Sequence, residues 1–91
     1  MHGYVIASKM VMTDKLPPKR VYREEPDEEG DTGWRIFSGL EDEKYMNEPS
    51  NFGIYDIANI AMLDESLKDI LSSPAGTEYI KSAEEKGWKK I

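Results

Sequence analysis

YREEPDEEGDTGWRIFSGLEDEKY, residues 22–45, is the stretch whose reading decides the fold. Val21-Tyr22-Arg23 and Trp34-Arg35-Ile36-Phe37 have the β-branched and aromatic content of strands. Between them, Glu25 to Gly33 is a nine-residue connection with Pro26 near its start and glycines at 30 and 33, long for a tight hairpin and suited to a solvated loop. Alternation places Trp34 and Ile36 on one face and Arg35 and Phe37 on the other. An arginine beside a phenylalanine predicts that this second face is only partly covered. A second acidic cluster, Glu41-Asp42-Glu43, follows the Ser38-Gly39 break. Residues 22–48 hold ten carboxylates against three basic side chains, Arg23, Arg35 and Lys44. Local physics thus predicts a polar-tipped hairpin carrying a strong negative field, and names no reaction.

Working outward toward the amino terminus, Lys19 to Glu24 reads as the second strand, preceded by Leu16-Pro17-Pro18. Two successive prolines remove two backbone donors and mark a turn or an exposed connection. Tyr4 to Met12 is apolar and β-branched enough to form a buried first strand, with Met10 to Met12 free to bend away. Toward the carboxyl terminus, Glu41 to Asn47 predicts a helical turn stopped by Pro49, with Tyr45 and Met46 pointing inward. Ile54 to Ile57 reads as a fourth strand. From there the apolar spacing changes to three and four, predicting a short helix over Ala58 to Leu63. Asp64 is suited to cap a second one, whose stripe is Leu67, Ile70 and Leu71, and Pro74 ends it. Thr77 to Lys81 shows little periodicity, Lys86-Gly87 marks a turn, and Trp88 to Ile91 suits an edge strand guarded by lysines.

The expectation is one α+β domain over residues 1–91. It comprises a small, mostly antiparallel sheet of four to five strands with two or three short helices. Trp34 and Ile36 should pack on Val5 or Ile6 and on the Leu67, Ile70, Leu71 stripe. Tyr45 and Tyr55 stand beside acidic residues and fit either the core or an aromatic recognition surface.

At 91 residues the chain has room for a single core, and with no cysteine neither disulfides nor a thiolate zinc site can supplement it. A net charge of −6 argues against nucleic acid or an anionic membrane as partner, since both need concentrated Lys and Arg. A basic protein surface, or a cation, is the better complement. The amino terminus lacks the n-region, apolar run and cleavage site of a signal peptide, and no apolar run approaches the roughly 20 residues of a membrane helix. A cytoplasmic protein is expected.

No constellation for catalysis stands out. The only histidine, His2, lies at a terminus expected to fray, and no serine has a visible base. Asp27-Glu28-Glu29-Gly30-Asp31 offers oxygen ligands but lacks the spacing of an EF-hand loop, so a solvated acidic loop is expected rather than a metal site. The glycines form no phosphate-binding pattern. The reading assigns no catalytic residue, no metal and no cofactor.

The motifs YREEP at 22–26, TGWRIFSG at 32–39, EDEKYM at 41–46, GIYD at 53–56 and SSPAG at 72–76 together carry a family resemblance. The chain resembles immunity family thirty-three of the bacterial polymorphic toxin systems, formerly catalogued as a domain of unknown function. Thr32 stands where that family commonly has serine. The resemblance implies a small cytoplasmic protein that binds and neutralises a cognate toxin. It carries over no catalytic site.

The charge pattern and the resemblance converge. Asp27, Glu28, Glu29 and Asp31, with Glu41, Asp42, Glu43 and Tyr45, are expected to form an acidic surface that steers a basic toxin face and covers it. Two readings stand against this: that the carboxylates serve solubility alone, and that the chain is a stand-alone regulatory or small-ligand module.

Overall fold

A computed structural model describes residues 3–81 and 87–91. His2 and Lys86, read above as part of a frayed end and of a turn, lie outside the described residues. The elements are β1 (Tyr4–Ser8), α1 (Lys9–Met12), β2 (Arg20–Arg23), β3 (Asp31–Phe37), α2 (Glu43–Met46), a 3₁₀ turn (Pro49–Asn51), β4 (Phe52–Asp56), α3 (Ile57–Leu63), a second 3₁₀ turn (Glu65–Asp69), β5 (Glu78–Ile80) and β6 (Lys89–Lys90). One six-stranded sheet runs β4-β1-β3-β2-β5-β6. Only the central β1 and β3 are parallel; the other neighbours, including the β2–β3 hairpin, are antiparallel. The fold is therefore α+β with a mostly antiparallel sheet, as the sequence predicts.

Several elements differ in detail, for physical reasons. The apolar run Tyr4–Met12 divides: it is strand only to Ser8 and then makes one helical turn, whose Val11 is fully buried. The run after Asp64 forms a 3₁₀ turn rather than an α-helix. Asp64 caps it as expected, its carboxylate accepting the Ser66 N–H at 3.0 Å. Glu78–Ile80, within a stretch that shows no periodicity, is a strand because β2 offers it an edge, with Val21 opposite Tyr79.

One sheet face carries the core. Val5, Ala7, Val21, Trp34 and Ile36 project onto it and meet Ile57, Ile60, Ala61, Leu67, Ile70 and Leu71 from the segment after β4. Trp34 is fully buried, and its indole N–H donates to the Leu71 carbonyl at 3.1 Å, so the ring's one polar atom is satisfied. Val5 supplies the β1 contact, whereas Ile6 points to the other face. Arg23 lies over the Trp34 ring and donates to the Thr32 and Ser73 carbonyls, tying the turn before Pro74 to the sheet.

The second face is partly covered, as the sequence predicts, but Arg35 and Phe37 themselves lie in its closed centre. Both are buried, at 3 % and 4 % exposure. Phe37 stacks on Tyr22 and meets Phe52 edge-on, and Phe52 in turn meets Tyr45. Arg20 lies against both Tyr22 and Phe37. Aromatic rings of β2, β3 and β4 cover one another, with Tyr45 of α2 closing the end of the row. The rim of this face stays open, with Ile54 65 % exposed.

Candidate functional site

The acidic residues stand in two groups at opposite ends of β3. The regular part of that strand, Trp34–Phe37, by itself spans roughly 10 Å. Residues 24–31 and 41–48 are therefore two separate acidic surfaces, joined only by the strand between them.

The first group is organised by a kink. Tyr4 pairs with Asp31 but Ile6 pairs with Arg35, so two steps along β1 match four along β3. Gly33 makes this possible. Its φ is +87°, and a Cβ there would lie 2.1 Å from the Glu24 carbonyl oxygen, so no other residue fits without displacing the backbone. In a regular strand residues four apart are separated by roughly 13 Å. Here both terminal nitrogens of Arg35 reach the Asp31 carboxylate at 2.9 Å. Asp31 also accepts the backbone N–H groups of Asp27 at 3.0 Å and Gly33 at 2.8 Å. The fork of hydrogen bonds from Arg35 holds the Asp31 carboxyl well below the usual range, against a burial effect of opposite sign. The guanidinium is held protonated for the same reason.

Asp31 is thus not part of an exposed surface; its side chain is 1 % exposed. Arg35 also meets Glu24 at 3.1 Å and Asp27 at 3.6 Å. Asp27, Glu28 and Glu29 are exposed, as the sequence predicts. Glu28 accepts a hydrogen bond from the Tyr4 hydroxyl, which pushes that phenol up to about 12.

In the second group the carboxylates hold backbone rather than cations. Glu41 accepts from the Ser8 hydroxyl, from the Ser38 hydroxyl and N–H, both at 2.9 Å, and from the Gly39 N–H at 3.0 Å. Burial pushes its carboxyl up, but these donors prevail and hold it below the ordinary value. Asp42 caps α2 through the Tyr45 N–H at 2.8 Å, and Glu48 caps the following 3₁₀ turn through the Ser50 N–H at 3.2 Å. The Tyr45 hydroxyl accepts from the Met10 N–H at 3.2 Å and faces the Asn51 carbonyl at 3.4 Å. Tyr45 is half-buried, so of the two placements left open for it the structure chooses an intermediate one, as it does for Tyr55.

These residues enclose an open cleft of about 760 Å³, lined by Asp42, Glu43, Tyr45 and Glu48 with Lys44, Asn47 and Asn51. Asp42, Glu43 and Glu48 are exposed there. Beside it runs a shallow apolar groove of about 310 Å³ along Ile6, Pro49, Phe52, Gly53 and Ile54. Sequence reasoning did not single out the groove. GIYD alternates as any half-buried strand does, and only the strand order reveals that β4 lies at an edge.

Among the described residues no group of three or more acidic, histidine or cysteine side chains converges as a metal site would. No helix among them is long and apolar enough to cross a membrane.

Compared with known proteins, the chain matches one family model, described as Immunity protein Imm33 domain, over residues 5–91. Neither a curated protein nor a solved structure matches it.

Proposed function

We propose that this chain, which belongs to the Imm33 immunity-protein family, neutralises a cognate bacterial toxin in the cytoplasm by binding a basic face of it. The observation that carries the mode of binding is the acidic cleft beside α2. Asp42, Glu43 and Glu48 surround the half-buried Tyr45, and an apolar groove adjoins them. A polar rim around an apolar centre is how specific protein interfaces are built. The field of the exposed carboxylates, with Asp27, Glu28 and Glu29 at the far end of β3, raises the encounter rate with a cationic surface. The cleft is open and lined mostly by polar side chains, unlike the enclosed apolar sites that hold small ligands, which favours a protein partner over a small-ligand module. No residue is assigned a catalytic role. Inhibition is by occupancy.

The test is co-expression with a candidate cognate toxin domain, followed by stopped-flow association of the purified pair at two ionic strengths. The informative variant is Asp42→Asn, Glu43→Gln, Glu48→Gln. It removes three charges yet keeps side chains able to cap α2 and the 3₁₀ turn. Its association rate should fall about tenfold and its salt dependence should flatten. Equal rates with equal salt slopes would remove the cleft from the recognition surface.

A further inference from the structure

The two edges of the sheet are finished differently. β6 is two residues long and both are exposed lysines, a device that discourages another strand from adding on. β4 is five residues long, Phe-Gly-Ile-Tyr-Asp, with no lysine, arginine or proline in it.

Backbone groups on β4's outer side follow from the register. Antiparallel pairs alternate between residues that exchange hydrogen bonds and residues that do not. The Ile57 N–H donates to the Gly3 carbonyl at 3.0 Å. Continuing that register along β1, Val5 exchanges with Tyr55 and Ala7 with Gly53. Phe52, Ile54 and Asp56 therefore turn their backbone groups away from β1. The Phe52 N–H is taken by the Pro49 carbonyl. What remains along the rim is the Phe52 carbonyl, both groups of Ile54 and the Asp56 N–H, and among the described residues no strand lies beside them.

We infer that β4 is a docking edge on which an extended segment of the toxin adds as a seventh strand, apolar at its centre and basic at both ends. This rests on the reading that the chain binds a toxin, and names the contact. The apolar centre follows from the groove of Ile6, Pro49, Phe52 and Ile54 on the open face, which receives alternate side chains of an added strand. The basic ends follow from charge. Exposed Asp56 closes one end of β4, and the cleft with Asp42, Glu43 and Glu48 opens at the other, next to Asn51. A second copy fits poorly. Antiparallel self-pairing about Ile54 would set Asp56 of one molecule toward the acidic cleft of the next, in a chain whose net charge is already −6.

The first experiment uses a capped peptide Lys-Val-Thr-Val-Thr-Val-Lys and the ¹⁵N-labelled protein. With the valines beside Ile54 and over the groove, the valine amides face β4 and the threonine amides face away. The Ile54 and Asp56 amide signals should shift saturably, and their solvent exchange should slow at least tenfold. A peptide N-methylated at its valines should do neither, whereas one methylated at its threonines should behave as the parent. Equal binding by both methylated peptides, no binding by the parent, or shifts confined to residues 24–31 would overturn the inference.

The second experiment places Ile54→Pro in the co-expression assay. Proline removes an N–H that β1 does not use, and follows a glycine in extended backbone. Protection should be lost with the melting temperature little changed. Ile54→Lys, which keeps the N–H but opposes a basic strand, should weaken toxin binding about tenfold. Protection by both variants equal to wild type overturns the edge as the docking site and leaves the immunity reading standing. No protection by wild type overturns that reading, and the peptide titration then decides the edge by itself. A concentration-dependent dimer that Ile54→Pro abolishes would assign the edge to a second copy and overturn the inference.

Discussion

At the Asp31 end of β3 a carboxylate is buried against a guanidinium, whereas at the Phe37 end the carboxylates of Glu41, Asp42 and Glu48 hold backbone N–H groups, and among the described residues none of these is ion-paired. The difference teaches that equal charge does not mean equal duty. A buried ion pair links distant parts of the loop, and losing one partner strands the other charge away from water. A cap satisfies one helix end and stays wet, so it contributes little to the whole fold and remains open to a partner.

The largest expected effect is therefore at Asp31. Asp31→Ala leaves the Arg35 guanidinium buried, with the exposed Glu24 and Asp27 as the carboxylates that remain beside it, and should cost about 3–5 kcal/mol in urea unfolding. The same pair sets the acid limb of stability. The folded-state carboxyl is depressed, so its contribution is complete above the unfolded carboxylate value of about 3.9 and is lost as pH falls through the lower folded value. Asp31→Asn should flatten the loss of stability below about pH 4.

Glu41 comes next. Glu41→Ala removes the acceptor for the Ser8 and Ser38 hydroxyls and leaves part-buried donors to find water, which should cost about 1–3 kcal/mol by the same measurement. At Asp42 the change should be about 1 kcal/mol for Ala and a few tenths for Asn, because asparagine also caps. If Asp42→Ala destabilised the protein as much as Asp31→Ala, the contrast between the two ends would be wrong.

The smallest effect is expected where the carboxylates are exposed and hold no backbone. Replacing Glu28 and Glu29 by glutamine should change stability by no more than about 0.5 kcal/mol. Its visible consequence is spectroscopic. Without the Glu28 carboxylate the Tyr4 phenol should return from about 12 toward its ordinary value of 10.0, read by ultraviolet titration. A Tyr4 titration unmoved by Glu28→Gln would mean that the hydrogen bond is absent in solution.

Much of this was legible along the chain. The pattern of Tyr22–Phe37 predicts a hairpin with Trp34 and Ile36 buried, and the spacing of Ile57, Ile60 and Ala61 predicts the helix that covers them. Local rules suffice there because side-chain alternation and helical periodicity are properties of neighbours. The burial of Arg35 was not legible. It depends on Gly33 taking a left-handed φ within a strand, and glycines between two predicted strands read equally well as parts of a turn. β5 was illegible too, since three residues without alternation become a strand only when β2 lies beside them.

By itself the sequence determined the class of the fold, the apolar positions and the concentration of negative charge in residues 22–48. The tertiary structure alone decided which of those charges are available. It buries Asp31, engages Glu41, and leaves Asp27, Glu28, Glu29 and Glu43 in water. It alone also placed β4 at an unguarded edge and the lysines of β6 at the other. The physical reason is that charge and periodicity are carried by each residue, whereas burial and strand order arise from pairings between residues far apart in the chain. β1 with β3, and β1 with β4, are such pairings, and no local pattern specifies them.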